Sequence, residues 1–396
     1  MSQPDIAIIG GGIIGSALAY FLARSGRAGA IVVLEADLDY QRATTPTGAG
    51  GIRQLFSLPE NIWMSQHSLQ FYREFAETMA LDGTTADIDF EQRGYLFVVV
   101  ESGTKQLEAN HRLQVSQGVN AQLLTRAELQ TRFPSLGLDN IALGCFSPDD
   151  GTITTTKALQ GFRRQAEALG VTYRQARVAG LEFANGRVQS AMLDGGETVR
   201  AKAFACAAGA WSQEVVAMAG LPLPVVPLCR VKHYWECDSV TEPLPLVKDE
   251  SGMFFRPQGA GFVGGRPSWE IQPGFAFQSE NSAIREYFEG YFERGVRPLI
   301  SKRLPAFRTA RCPQSWTGHY AQNTLDGNMI LGSLGESAEN LYVACGFSGH
   351  GVMHAPAVGL AMSELMLSGR YETMDLARMG YQRVRDNAPY PEVGII

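Results

Sequence analysis

Six residues near the N-terminus, Gly10-Gly11-Gly12-Ile13-Ile14-Gly15, have the spacing of a dinucleotide-binding turn, and one acid, Glu35, stands where such a turn needs one. The chemistry follows from residue type. Gly10 permits a tight strand-to-helix turn, Gly12 lets the backbone approach a pyrophosphate, and Gly15 lets helix and strand pack closely. The N–H groups at the helix start then face the diphosphate. Glu35, followed by Ala36, is placed to accept hydrogen bonds from the adenosine ribose hydroxyls, and its charge disfavours a 2′-phosphate. NADP is therefore disfavoured, and NAD and FAD remain.

These residues act only if the surrounding elements hold them. Residues 5–9 form an apolar run of strand type, residues 16–26 are apolar at helical spacing and close on Gly26, and residues 31–34 read as a second buried strand. An NAD-dependent domain would continue as further strand-helix units through residues 36–150. This chain instead enters a turn-rich loop, 42–53, whose hydroxyls and glycines (Thr44, Thr45, Gly50 and Gly51 among them) suit phosphate and ring contacts through backbone donors. A helical pattern follows over 61–81, a strand over 93–100, and a capping box of Thr125 with Glu128. Residues 154–169 read as a helix, and Asn185-Gly186 joins strands 177–183 and 187–193 as a hairpin. A strand over 203–206 runs into Ala207-Ala208-Gly209-Ala210-Trp211-Ser212. A last strand, 340–345, runs into Gly346-Phe347-Ser348-Gly349-His350-Gly351, with a helix expected over 355–367. The N-terminus of that helix is placed to stabilise negative charge on a second part of the same cofactor. Two glycine-rich units at opposite ends of the chain, sharing one long ligand, favour FAD over NAD.

Composition narrows the function classes. The 396 residues are 45% hydrophobic and 19% charged with net charge −6, so the chain can bury large cores and has no basic block suited to nucleic acid. Its six cysteines form no CxxC pair and its six histidines no HExxH, which suits buried reduced thiols and gives metal catalysis no support. The first apolar stretch has no basic leader and is too short for a signal peptide or membrane span, so a cytoplasmic protein without a transmembrane segment is expected.

On five stretches the chain resembles the D-amino-acid oxidase superfamily of FAD enzymes, in particular the branch of monomeric sarcosine oxidase, sarcosine oxidase β subunits and dimethylglycine-dehydrogenase-like proteins. The stretches are 10–15 with Glu35, 44–53, 150–156, 206–212, and 316–332 followed by 346–359. The resemblance implies an α/β composite: a Rossmann-like FAD-binding domain of the glutathione-reductase type, interleaved with a mixed β-sheet substrate domain. Residues 1–56, 140–220 and 315–396 would hold FAD, and residues 57–139 and 221–314 would roof its ring. It also implies adenine contact through the Val178 backbone and cofactor contacts at Ala208, Gly209, Trp211, Gly346, Ser348, Gly349, His350, Gly351, Val352 and Met353. The activity implied is hydride transfer from the C–N unit of an amino acid or N-substituted amino acid to flavin, giving an imine that hydrolyses. Electrons would pass to O2 or to a redox partner.

Arg53 is the candidate carboxylate binder, since a guanidinium matches that group with two parallel donors. His350 is a candidate for tuning the ring or the amine near neutral pH. Tyr320 and Phe255 are expected to line the substrate pocket, the latter as an apolar wall. Arg256, His233 and His319 are active-site candidates without assigned roles. The departures from the family pattern are equally specific. Gly318 stands where monomeric sarcosine oxidase has its flavin-linking cysteine, so noncovalent FAD is expected. Met353 replaces a carboxylate-holding lysine, and a lysine of oxygen activation falls on Val263 or Gly264. Losing that ammonium weakens the case for a fast oxidase. The alternative is an FAD-binding subunit or assembly factor of a larger complex, with little activity alone.

Overall fold

Four short apolar runs build the centre of the protein. Ile6–Ile9, Ile31–Glu35, Ala203–Cys206 and Leu341–Cys345 are buried almost throughout, as strands covered on both faces must be. They pair in parallel, joined by Thr172–Gln175 at one edge and by antiparallel Ile330–Ser333 at the other, in a six-stranded sheet. This is a computed structural model describing residues 3–237, 242–267 and 270–394. Helices Ile13–Arg24, Thr155–Ala168 and Gly351–Ser368 cover one face, and a three-stranded antiparallel sheet of residues 178–200 covers the other. The hairpin turn at Asn185 (φ 53°) and Gly186 (φ 71°) has positive φ at both positions, as the dipeptide predicts. The capping box at Thr125 and Glu128 forms in full.

The long helix Gly351–Ser368 departs from expectation: it begins four residues before Ala355 and carries Pro356 in its first turns. Proline removes the donor that would serve the carbonyl of Val352. Tyr72, on the helix Pro59–Arg73, donates its hydroxyl to that carbonyl at 2.6 Å, and the Ser68 hydroxyl accepts the Ala357 N–H at 3.2 Å. The neighbouring helix thus supplies what proline removes, and the helix start reaches the glycine loop. Close approach to the first helix is equally specific, because a Cβ on Gly359 would lie 2.8 Å from the Ala17 carbonyl carbon.

A second, eight-stranded mixed sheet stands over the glycine loops. Its order is Arg311–Asn323, Val225–Glu236, Gly261–Gly265, Phe254–Gln258, Leu246–Asp249, Tyr95–Val99, Leu143–Ser147 and Gln122–Thr125. Its outer face packs Trp235, Phe255, Phe262 and Phe307 into a core of its own. Its inner face looks toward the first sheet, and the space between holds the site. Among the described residues, no helix is long and apolar enough to cross a membrane, and no cluster of ligating side chains could hold a metal.

Candidate active site

A cavity of about 1100 Å³ runs from the N-terminal glycine turn to the inner face of the eight-stranded sheet. At the turn each glycine has its own reason. A Cβ on Gly10 (φ +101°) would sit 2.5 Å from the Ala207 carbonyl oxygen, and one on Gly15 would sit 1.9 Å from the Gly10 oxygen. Gly12 is different: its nearest neighbour would be Thr45 Oγ1 at 3.7 Å, so the space above it is open to a ligand. Thr45 Oγ1 accepts the Ile13 N–H at 3.3 Å, and Gly12, the N-cap residue, has no side chain of its own to cap the helix. Glu35 Oε2 accepts from Gly11 N at 2.7 Å and Oε1 from Asp37 N at 2.9 Å, which fixes the carboxylate at the strand end; burial raises its pKa. Gly10, Gly12, Ile13, Ile14, Ala36, Thr44, Thr45, Gly50, Gly51, Val178, Ala208, Gly209 and Trp211 all line the cavity. Gly11, Gly15 and Gly346 do not; they lie behind its wall, where each allows a close packing contact.

The second glycine loop brings Ser348, Gly349, His350, Gly351, Val352 and Met353 to the same cavity. Ser348 takes a left-handed conformation (φ 49°), held by its N–H on the Ala321 carbonyl and by its Oγ, which accepts the Asn323 N–H at 3.0 Å. A Cβ on Gly349 would lie 2.6 Å from the Tyr320 ring, so that ring packs directly on the loop backbone. His350 is the N-cap of the long helix and its side chain does not cap it, which leaves the helix N–H groups and their partial positive charge facing the cavity.

Arg53 is 2% exposed. It donates to the Leu55 carbonyl at 2.9 Å, reaches His350 Nε2 at 3.1 Å, and lies 4.1 Å from the Phe56 ring centre. Arginine can only donate, so Nε2 of His350 must hold a lone pair and Nδ1 must carry the proton. That Nδ1 is buried without a partner among the described residues. Burial first, then the charge of Arg53, holds the His350 pKa well below the usual histidine value. Held this way, His350 presents a neutral ring that offers its Nδ1–H as a donor. An orphaned donor, an open Gly12 and an uncapped helix start together fit a large anionic, ring-bearing cofactor.

Several expected site residues lie elsewhere, and for Phe255, His233 and His319 the reason is the same. Strand side chains alternate between faces. Phe255 is fully buried in the outer core, and Phe254 is the residue that lines the cavity. His233 bonds Ser315 at 2.7 Å and His319 accepts the Ala276 N–H at 2.8 Å; neither lines the cavity. Arg256 ties the sheet to the loop through the Ala49 carbonyl at 2.7 Å. A Cβ on Gly318 would meet Thr47 Oγ1 at 1.9 Å, and one on Gly264 would meet the Phe254 oxygen at 2.1 Å. Val263 is 1% exposed and, like Gly264, does not line the cavity.

The residues missed are cations. Arg230 and Lys232 on one strand, Lys248 on another, and Arg266 all line the cavity, with Tyr95 and Glu392. Burial, then the charges of Arg53 and Arg230, lowers Lys248 to about 7; burial with Arg230 lowers Lys232 to about 8. Two lysines thus reach this cavity from strands in the same sheet as residues 263–264, at positions other than the family's. The alternation Cys229-Arg230-Val231-Lys232-His233 carried the signal, as polar residues every second position on a strand with one apolar face.

Comparison with known proteins agrees with the geometry. FAD-dependent oxidoreductase domain-containing protein 1 of Xenopus laevis is 33% identical across 100% of this chain and 85% of its own length. The 4-methylaminobutanoate oxidase (formaldehyde-forming) of Paenarthrobacter nicotinovorans is 28% identical over 91% of this chain, which spans 43% of that protein. The crystal structure of L-proline dehydrogenase from P. horikoshii superposes with a TM-score of 0.82 at 25% identity, covering 98% of this chain and 99% of the other. Residues 5–365 match the DAO family, described as FAD dependent oxidoreductase, and the chain belongs to that family.

Proposed function

We propose that this FAD-dependent oxidoreductase oxidises the C–N bond of an amino acid or N-substituted amino acid, releasing an imine that water hydrolyses. The observation that carries the reading is Arg53: a buried guanidinium beside the orphaned His350 donor at a helix start, in a cavity large enough for cofactor and substrate together. Bound FAD would supply the hydride acceptor.

The chain's own residues do the rest. Arg53 orients the substrate through its carboxylate, with N–H groups beyond the two committed to Leu55 and His350. Tyr320 and Phe254 bound the pocket with apolar ring surface. The cations around the cavity disfavour an ammonium and so favour the neutral amine, the form able to give up hydride. His350 Nδ1–H and the N-terminus of helix Gly351–Ser368 are positioned to hold negative charge on the ring side. Noncovalent attachment at Gly318 is part of the reading, since glycine offers no linking atom. So is a division into an FAD lobe (1–56, 140–220, 315–396) and a roof (57–139, 221–314), although strands Leu143–Ser147 and Arg311–Asn323 pair across that division.

Product analysis tests the proposal. Incubating the yellow protein with N-methyl, cyclic and unsubstituted amino acids should yield an aldehyde or 2-oxo acid in amounts matching the flavin reduced. Admitting air then separates an oxidase, which forms hydrogen peroxide, from a dehydrogenase that needs a redox partner. If the chain holds FAD but forms no carbonyl product from any of them, an FAD-binding subunit of a larger assembly becomes the better reading.

A further inference from the structure

We infer that Glu392 sets the amine class: its carboxylate accepts an N–H of the substrate, so the cavity selects primary or secondary amino acids over N,N-disubstituted ones. The identity of the ligand as an amine, and Arg53 as the holder of its carboxylate, rest on the proposed oxidation. The acceptor itself rests on the geometry of the C-terminal tail.

That tail is tied down on both sides of Glu392. Tyr390 N–H donates to Asp326 at 3.0 Å, and the Tyr390 carbonyl accepts from Asn328 Nδ2 at 2.6 Å. The Val393 carbonyl accepts from Asn110 Nδ2 at 2.9 Å. Between these ties Glu392 is 8% exposed and lines the cavity, while Val393 beside it is 46% exposed. The carboxylate is fixed by donors. Its Oε2 accepts the Ser57 N–H and the Ser57 hydroxyl, each at 2.5 Å, and its Oε1 accepts from Asn61 Nδ2 at 2.5 Å. The Ser57 hydroxyl itself accepts the Val393 N–H at 2.8 Å, so its own proton is directed to Glu392. An ionised carboxylate has about four acceptor sites. Ser57 and Asn61 use all but one, on Oε1, and a donor within the cavity can take that one.

The stretch of chain that holds Glu392 also holds Arg53. Arg53 donates to the Leu55 carbonyl at 2.9 Å and lies 4.1 Å from the Phe56 ring centre, and the next N–H, that of Ser57, is bonded to Glu392. Both side chains line the one cavity, and the charge of Glu392 acts on Arg53. Asp150 acts on Arg53 too, but its oxygens are bonded to Gln54 and it does not line the cavity. The other acids of the cavity wall are engaged elsewhere. Glu35 and Asp37 sit at the first glycine turn, Glu214 lies 3.5 Å from Arg177, and Asp326 is paired with Arg383 at 2.8 Å. In an amino acid one carbon separates carboxylate from nitrogen. A carboxylate held by Arg53 therefore keeps the nitrogen at the wall that Arg53 shares with Glu392.

An acceptor at that point has a chemical reason. Hydride leaves the carbon with both electrons of its C–H bond and passes to bound FAD, while the nitrogen lone pair becomes the second bond of C=N. Positive charge settles on nitrogen, and a carboxylate bonded to its N–H favours that charge as it forms. A secondary amine gives Glu392 its one N–H and keeps its lone pair for the new bond. A tertiary amine has no hydrogen to give and sets an alkyl group against a buried acceptor.

Two flat, redox-inert acids isolate this hydrogen bond from turnover. Pyrrole-2-carboxylate presents a ring N–H beside its carboxylate, and 2-furoate presents an oxygen at the same position. The FAD-bound protein, titrated with each while the flavin visible spectrum is recorded, should bind pyrrole-2-carboxylate roughly 10- to 100-fold more tightly. In Glu392→Gln, whose amide retains one acceptor oxygen for Ser57, that preference should fall to roughly 3-fold or less. Equal binding of the two acids by the native protein, or binding of neither, would overturn the inference. So would an equal loss of affinity for both acids in the variant, which is what a residue that only anchors the tail would give. Preference for pyrrole-2-carboxylate without flavin reduction by any amine would leave the acceptor standing and remove the oxidation. Flavin reduction by amines with equal binding of the two acids would do the reverse. If both hold, N-methylglycine should reduce the flavin with kcat/KM at least ~10-fold above that of N,N-dimethylglycine. Equal values for those two amines would also contradict the role given to Glu392.

Discussion

Arg53 is where the chemistry concentrates, and its replacement has a definite expected outcome. The variant Arg53→Met should keep FAD yet lower kcat/KM by roughly 10²- to 10³-fold, because it removes the partner of a buried carboxylate. Steady-state kinetics with the spectrum of bound flavin as a control would check it; an unchanged KM would contradict a carboxylate-binding role. The lysines give a pH prediction whose sign can be worked out. Lys248 is depressed from 10.5 to about 7 in the fold, so between those values the unfolded chain binds more protons and native stability rises with pH. Lys248→Met should therefore stabilise the ligand-free protein most below pH 7, by an amount on the order of a few kcal/mol, and progressively less as pH rises toward 10. Denaturation curves of the two proteins across that window would read the difference. Arg53 was legible in the sequence because it closes a recognisable loop. The lysines were only half legible: alternation marks Arg230 and Lys232 as sharing a face, but Lys248 joins that row only once strand register is known.

At the scale of elements, the two glycine-rich turns make contrasting predictions. Gly12→Ala places a methyl in the open space above the turn, so the chain should fold and lose FAD affinity at least ~10-fold. Gly15→Ala places one 1.9 Å from the Gly10 oxygen, so the protein should fail to accumulate as a folded species. Fluorescence titration of FAD and the yield of folded protein would check each. Tyr72→Phe leaves the Val352 carbonyl unmet beside Pro356, with an expected cost of about 1–3 kcal/mol in chemical denaturation. The first strand-turn-helix was legible because every contact that defines it is local. The last helix was misjudged at its start, since the hydroxyl of Tyr72 compensates Pro356 from far away in sequence. Phe255 was misassigned by one residue for a related reason: a single step along a strand reverses the face, and nothing in Met253-Phe254-Phe255-Arg256 says which aromatic faces inward.

Across the whole molecule, cofactor and fold are coupled. The cavity wall draws on both sheets, on the N-terminal turn, and on Glu392 near the C-terminus, so the site joins segments from the full length of the chain. Removing FAD should lower Tm, and restoring it at about a hundred times its Kd should return about 2.7 kcal/mol of stability. A thermal scan of the apoprotein with increasing FAD would show this.

Amine oxidation itself is tested most directly by anaerobic mixing of the FAD-bound protein with amino acids and N-substituted amino acids while the flavin absorption near ~450 nm is followed. The account predicts that one substrate class bleaches the band, and that the rate falls several-fold when the hydrogen on the oxidised carbon is replaced by deuterium. A band that no amine bleaches, in protein shown to hold FAD in full, would contradict it.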